Sequence, residues 1–129
     1  MIAQKKIMYE SKNILGLPLK SCCSDPVTGF YRDSYCNTGD DDTGMHTVCI
    51  KITDQFLEFS KKIGNDLSTD IPEFNFKALK ENDRWCLCAG RWLEAYKNNQ
   101  APPVYLESTH EETLAVIPFT ILESFAINE

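Results

Sequence analysis

The stretch Asp83–Ala89, with the sequence DRWCLCA, decides the fold of this chain because it places two cysteines two residues apart in a short apolar run. Such a run is typical of a buried strand, on which the side chains of Cys86 and Cys88 point to the same face. Their Cα atoms would lie roughly 6.5–7 Å apart, at or beyond the limit for a disulfide between them. We therefore expect the two sulfurs to share a metal, to flank a reactive centre or simply to pack.

Strands and helices alternate around this stretch. Residues 47–52 are rich in β-branched side chains and predict a strand, as do residues 84–89 and 104–107. Apolar side chains at helical spacing predict helices over 54–63 and 90–98. About three strands alternating with helices indicate a small α+β or α/β domain, and the pattern leaves open which of the two it is.

The C-terminal part of the chain is expected to be helical. Ser108 and Glu111 have the spacing of a capping box, which predicts that a helix begins at Ser108. Pro118 is expected to separate this helix from a last one, because proline breaks a helix interior but is tolerated at a helix start.

A long irregular segment, residues 18–46, precedes the first predicted strand. It contains turn formers, including Thr28-Gly29 and the acidic run Asp40–Asp42, and few periodic apolar residues. A long loop inside a compact domain is often a binding or active-site loop. We expect a single domain over residues 1–129, with 1–12 as a loosely attached arm and 18–46 as a functional loop.

Composition narrows the partners and the compartment. The formal net charge is −6 and the pI is about 4.9, so the surface repels phosphate, and neither nucleic acid nor a membrane is an expected partner. No secretory signal and no apolar run near the ~20 residues of a membrane helix is visible. The expected location is cytoplasmic, where six cysteines are expected to be reduced thiols, metal ligands or catalytic groups.

The first set of candidate site residues is catalytic. Cys49, Cys86 and Cys88 lie in the predicted strands and could supply nucleophilic sulfur, although buried cysteines also commonly pack as small apolar side chains. A catalytic thiol needs a base, and His110 lies at a predicted helix start, where the helix dipole favours the neutral imidazole. His110 is therefore the predicted proton acceptor.

The second set is ligand-binding. Asp25, Arg32 and Asp33 lie close together in the long loop, where an arginine between acids either binds an anionic group or locks the loop through salt bridges. Trp85 borders the cysteine-bearing strand and could form a wall of the same pocket. The run Asp40–Asp42 lacks the spacing of a calcium loop and is interpreted as a solvated acidic loop.

The third set is an alternative metal site. Cys22, Cys23, Cys36 and His46 could hold a zinc ion that orders the long loop. The paired C-x-x-C spacing of zinc-finger sites is absent, so the sequence supports this cofactor only weakly.

Polar, thiol-bearing and aromatic motifs follow one another from about Asn13 to Phe125. They are Cys22, Asp25-Pro26, Thr28-Gly29-Phe30, Arg32-Asp33, Cys36, His46-Thr47-Val48-Cys49, Phe56–Ser60, Gly64–Thr69, Asp83–Ala89, Arg91-Trp92, Leu106-Glu107 and Thr109-His110. Together they resemble the bacterial family catalogued as domain of unknown function 2237. The resemblance covers nearly the whole chain and implies no particular activity, because the family has no established function.

The first hypothesis is a small-molecule binding or thiol-dependent enzymatic pocket, built from loop 18–46 and the ends of the three predicted strands. The alternative is a zinc-stabilised interaction module without catalysis. A further alternative is a domain whose cysteines are only structural. The sequence leaves open whether the protein is an enzyme.

Overall fold

The fold is built on one antiparallel pair of strands. The computed structural model describes residues 11–25, 27–74 and 76–127. In these ranges β1 (Val48–Lys51) pairs with β2 (Arg84–Leu87), and the two strands form a two-stranded sheet. Strands at both predicted positions are thus confirmed, and the arrangement of this small sheet with three helices is α+β. The prediction that Cys86 and Cys88 share one face of a strand was wrong, because β2 ends at Leu87 and Cys88 is already the N-cap of the next helix.

Three helices follow the strands. Helix α1 (Asp54–Lys62) follows β1, α2 (Ala89–Lys97) follows β2, and α3 (Phe119–Glu123) lies near the C-terminus. The hydroxyl of Thr53 accepts a hydrogen bond from the N–H of Phe56 at 3.1 Å, which caps the start of α1. The predicted helices at 54–63 and 90–98 and the helix after Pro118 are therefore confirmed.

Short 3₁₀ turns occupy Pro72–Phe74, Leu106–Ser108 and Glu111–Ala115. The prediction that a helix begins at Ser108 with a capping box was wrong. His110 caps the turn at Glu111–Ala115, and the Ser108 hydroxyl instead donates to the carbonyl of Ser21 at 3.0 Å.

The predicted third strand, 104–107, reduces to a single residue, Val104. Val104 forms an antiparallel bridge with Ile50 and a parallel bridge with Ala126. The segment cannot extend into a full strand, because the preceding Pro103 has no N–H to donate and the chain turns into a 3₁₀ helix at Leu106.

The apolar core lies between the sheet and the helices. Trp92 of α2 is fully buried at its centre, and its indole N–H donates to the carbonyl of Pro102 at 3.1 Å. The Trp92 ring stacks on Tyr96 and meets Phe125 edge-on, with ring centroids 5.8 and 5.2 Å away. This aromatic cluster fixes α2 against the C-terminal segment, so the start of α2 is held firmly.

The predicted long loop is present and is attached to the sheet by two disulfides. Cys22 is bonded to Cys49 of β1, and Cys36 is bonded to Cys86 of β2. The expectation that the six cysteines are reduced thiols, metal ligands or catalytic groups was therefore wrong for these four, which form disulfides. Residues 1–10 of the predicted arm 1–12 lie outside the described residues. At the end of the arm, the carbonyl of Lys12 accepts a hydrogen bond from the N–H of Glu111.

A buried hydroxyl completes the attachment of the loop. The N–H of Cys86 donates to the hydroxyl of Thr28, which is fully buried, at 2.8 Å.

We expect Thr28→Val to lose about 1–3 kcal/mol of unfolding free energy, because the buried N–H of Cys86 would be left without an acceptor. Thr28→Ser keeps the hydroxyl and should lose only about 0.8 kcal/mol for one methyl group. Urea unfolding of both variants measures the difference, and equal midpoints would contradict the role of this hydrogen bond.

Candidate functional site

A cavity of about 350 Å³ lies where the long loop meets the end of β2. We call it the Cys88 cavity. Residues from both segments line it, among them Arg32, His46, Trp85, Cys86, Leu87 and Cys88. The cavity therefore combines the loop with the end of one predicted strand, 84–89, whereas the described residues of 47–52 and 104–107 do not line it.

Cys88 reaches this cavity because β2 ends directly in front of a helix. The residue is the N-cap of α2, its thiol is free and half-buried, and its side chain makes no capping hydrogen bond. The next residue, Ala89, donates its N–H to the carbonyl of Met45 at 2.9 Å. This hydrogen bond ties the start of α2 to the segment before β1, which brings Cys88 and His46 to the same wall.

The imidazole of His46 is oriented by a buried carboxylate. Its Nδ1 lies 2.6 Å from Oδ1 of Asp42, whose side chain is inaccessible to solvent. The other oxygen of Asp42 accepts from the backbone N–H of His46 at 2.9 Å and from the hydroxyl of Thr38 at 3.1 Å. Because Nδ1 is occupied by Asp42, Nε2 is the nitrogen left for chemistry in the cavity.

Two further residues hold the His46 ring in place. The ring of Phe30 stacks on it with centroids 5.8 Å apart and an interplanar angle of 24°. Gly44 lies on another side, where a Cβ would come within 2.8 Å of Cε1 of His46. A side chain at position 44 would therefore force the imidazole to move.

Arg32 provides positive charge at the cavity. Its guanidinium lies 5.4 Å from the ring centroid of Trp85, and its Nη1 donates to the carbonyl of Gly29 at 2.8 Å. Arg32 adopts a left-handed backbone conformation with φ of 55°, and so do Ser34 and Met45, with φ of 73° and 49°. Such strain in non-glycine residues concentrates at functional sites.

The other two acidic residues of the predicted binding set do not join the cavity. Asp25 is exposed, and the carboxylate of Asp33 accepts from the N–H of Tyr35 at 3.1 Å and from the amide of Asn37 at 3.0 Å. Asp33 therefore shapes the loop.

The remaining predicted thiols are not available as nucleophiles. Cys49 and Cys86 are buried and disulfide-bonded, so of the predicted catalytic cysteines only Cys88 has a free thiol. In the predicted metal set, Cys22 and Cys36 are also disulfide-bonded, whereas Cys23 is free. His46 lines the Cys88 cavity.

His110 lies in a different cavity from Cys88. This second cavity has a volume of about 340 Å³, and its wall includes Asp40, Asp42 and Glu112. Nδ1 of His110 accepts from the N–H of Glu112 at 3.0 Å. Burial lowers the pKa of His110 below its ordinary value of 6.5, against the opposing effect of Glu112 and Glu111. The neutral imidazole predicted for His110 thus follows mainly from burial.

The chain matches a known protein family over most of its length. Residues 12–126 match a family described as an uncharacterized protein conserved in bacteria, domain of unknown function 2237. The chain belongs to this family. The resemblance found in the sequence motifs is thereby confirmed, and all residues of the Cys88 cavity fall within the segment that matches domain of unknown function 2237. None of the curated proteins compared with the chain matches it.

The helices that the structure describes in this family member are all too short or too polar to traverse a lipid bilayer.

Sequence reasoning missed Asp42 as a site residue. Asp42 was grouped with Asp40 and Asp41 as a solvated acidic loop, but it is 2% exposed while Asp40 and Asp41 are exposed. The signal that could have found it is its position four residues before His46. In a tight turn this spacing brings a carboxylate to an imidazole.

The buried, neutral His110 predicts a pH dependence of stability. Because its pKa is lowered on folding, the unfolded chain binds a proton first as the pH falls through about 6.5. The neutral His110 therefore contributes fully to the unfolding free energy above this pH, and its contribution is lost progressively as the pH falls below it. We expect His110→Asn, which can still cap the following turn, to lose less unfolding free energy than the wild type between about pH 7 and pH 5.

Urea unfolding at several pH values measures this difference. His46→Gln serves as the control, since it removes the other histidine and should retain the His110-dependent decrease. An unchanged pH dependence in His110→Asn would contradict the assignment.

Proposed function

We propose that the Cys88 cavity binds a small anionic molecule and that Cys88 reacts with it as a nucleophile. The observation that carries this proposal is that a free thiol and a carboxylate-oriented histidine line the same cavity. A nucleophile, a base and a third group that orients the base are the parts that thiol-dependent catalysis requires. Cys88, His46 and Asp42 take these three roles.

The proposed reaction begins with transfer of the Cys88 proton to Nε2 of His46. The sulfur then forms a bond to an electrophilic carbon of the bound molecule, and the electron pair of the bond that breaks moves to the leaving group. His46 returns the proton to that group. Asp42 holds the imidazole in the required tautomer and stabilises its protonated form, as the third member of such sets does.

The start of α2 supports this chemistry. The first N–H groups of an α-helix have no acceptor within the helix. In α2 the N–H of Trp92 donates to the carbonyl of Cys88 at 3.0 Å, while Ala89 donates to Met45. The N–H groups of Gly90 and Arg91 belong to the first turn next to the sulfur, where they would stabilise negative charge that develops on the substrate.

The anionic character of the ligand is inferred from Arg32. A guanidinium at the edge of an aromatic-walled cavity binds carboxylate or phosphate through paired hydrogen bonds. Within the described part of the loop, the Arg32 guanidinium donates one hydrogen bond, to the carbonyl of Gly29. Trp85 and Phe30 would provide the apolar walls for the remainder of a small molecule.

The alternative of a zinc site formed by Cys22, Cys23, Cys36 and His46 is less well supported. Among the described residues, the ligand atoms close enough to share an ion are the sulfurs of Cys22, Cys36 and Cys49, and neither Cys23 nor His46 joins them.

We also propose a cytoplasmic location. In that compartment the disulfide-bonded cysteines would be kept as thiols.

Alkylation rates test the role of His46. With iodoacetamide near neutral pH, we expect Cys88 to react about tenfold or more faster than Cys23, the other free and half-buried cysteine, because a base assists Cys88. His46→Gln should slow Cys88 by about tenfold and leave Cys23 unchanged. Peptide mass spectrometry of timed samples measures both rates, with His110→Gln as the matched control. Equal rates at the two cysteines, or an unaffected Cys88 in His46→Gln, would contradict the proposal.

The charge of the reagent tests the role of Arg32. We expect the ratio of iodoacetate to iodoacetamide rates at Cys88 to fall about fivefold in Arg32→Asn, which corresponds to about 1 kcal/mol of screened attraction. Asparagine is chosen because it tolerates the positive φ of position 32. Lys20→Gln, which removes an exposed cation paired with Glu107 outside the cavity, should leave the ratio unchanged. The same fall in both variants would mean that only net charge matters.

A further inference from the structure

The four disulfide-bonded cysteines are brought together in one buried cluster. Cys22 and Cys36 come from the long loop, and Cys49 and Cys86 from the two strands; each is at most 1% exposed. The sulfurs of Cys22, Cys36 and Cys49 all lie within 4.8 Å of one another, although Cys36 is bonded to neither of the other two. The two disulfides therefore pack directly against each other.

The fourth sulfur, that of Cys86, is bonded to Cys36, and the strand register explains its position beside Cys49. Cys49 and Cys86 are directly opposite each other on β1 and β2. Their N–H groups donate outward, to the hydroxyls of Thr109 and Thr28, so this is a pair without mutual hydrogen bonds. In such pairs the Cα atoms are only about 4.5 Å apart and the side chains are closest. All four cysteines thus converge on one face of the sheet.

We propose that Cys22, Cys36, Cys49 and Cys86, once reduced, form a closed four-sulfur site that binds one zinc ion. Structural zinc is held tetrahedrally by four thiolates at about 2.3 Å, which places neighbouring sulfurs about 3.8 Å apart. The sulfurs of Cys22, Cys36 and Cys49 already lie within 4.8 Å of one another, and the sulfur of Cys86 is bonded to that of Cys36. After reduction, side-chain adjustments that separate the two formerly bonded pairs would bring the four sulfurs to this geometry. The site uses no residue of the proposed nucleophile set, so it stands independently of the proposed function.

The surroundings of the cluster suit a negatively charged centre. A zinc ion with four thiolates carries a net charge of roughly −2. Arg84 precedes Cys86 by two residues on the same face of β2, and its guanidinium lies 3.7 Å from the ring centroid of Tyr105, which packs against the sulfurs. The Nε of Arg84 is buried and has no hydrogen-bond partner among the described residues. A cationic donor that contacts Tyr105 on the same face of β2 as Cys86 would stabilise the thiolate charge.

The conversion requires a reductant and releases protons. Two molecules of a dithiol each donate two electrons and two protons to one disulfide, giving four cysteine thiols and two oxidised dithiols. Zinc then replaces up to four protons as it binds the thiolates. The same four residues would in this way tie the loop to the sheet by disulfides under oxidising conditions and by a metal under reducing ones.

The test is a metal titration of the full-length chain before and after reduction with a dithiol that is then removed under anaerobic conditions. Co²⁺ is the spectroscopic probe, because thiolate coordination gives an intense charge-transfer band, and Zn²⁺ should displace it at one equivalent. We expect this band in the reduced chain and none in the oxidised chain. Zinc at 100 times its dissociation constant should raise the melting temperature of the reduced chain by about 10 °C.

Variants separate this site from adventitious thiol binding. Cys49→Ser and Cys36→Ser should weaken Co²⁺ binding at least about 100-fold, since loss of a ligand costs more than loss of an outer contact. Cys23→Ser and Cys88→Ser, which leave the cluster intact, should bind as tightly as the wild type.

Circular dichroism of the reduced chain keeps the test decisive when metal-free protein unfolds. Refolding by one equivalent of zinc would support the site. A reduced chain that binds no Co²⁺, or one that remains unfolded with zinc, would overturn it, as would tight binding that persists in Cys49→Ser and Cys36→Ser.

Discussion

Cys49 of β1 and Cys86 of β2 lie directly opposite each other in the sheet, and the rest of the structure depends on this position. Each of these residues is also covalently bonded to a cysteine of the long loop, at sequence separations of 27 and 50 residues. Closing chains of these lengths restricts the unfolded state by about 4 kcal/mol each in the chain-entropy description. A loop with few apolar side chains is thereby held against a sheet of only two strands.

The antiparallel direction of the strands explains where the Cys88 cavity lies. The start of β1 lies beside the end of β2, so the residues just before one strand and just after the other become neighbours. His46 and Cys88 occupy these positions, and the hydrogen bond from Ala89 to Met45 joins their backbones. Parallel strands would have separated the same two residues by the length of the sheet.

The four disulfide-bonded cysteines and the free Cys88 have different surroundings. The four cluster cysteines are buried among one another and Tyr105, where they link segments of the chain. Cys88 is half-buried at a helix start and faces a cavity that also contains a histidine and an arginine. Four of the sulfurs thus link segments of the chain, whereas the sulfur of Cys88 is a free thiol beside a cavity.

The sequence by itself determined the family, the long loop and most of the local elements, because periodicity, caps and turn residues act over a few positions. Strands at 47–52 and 84–89, the cap at Thr53 and the helix after Pro118 are of this kind. The predicted helix start at Ser108 and the predicted strand 104–107 are the exceptions. Only the tertiary structure decided that Cys86 is bonded to Cys36, that Asp42 is buried against His46, and that His110 faces another cavity. These relations join residues that strand direction and loop closure bring together, and short-range patterns carry no information about either.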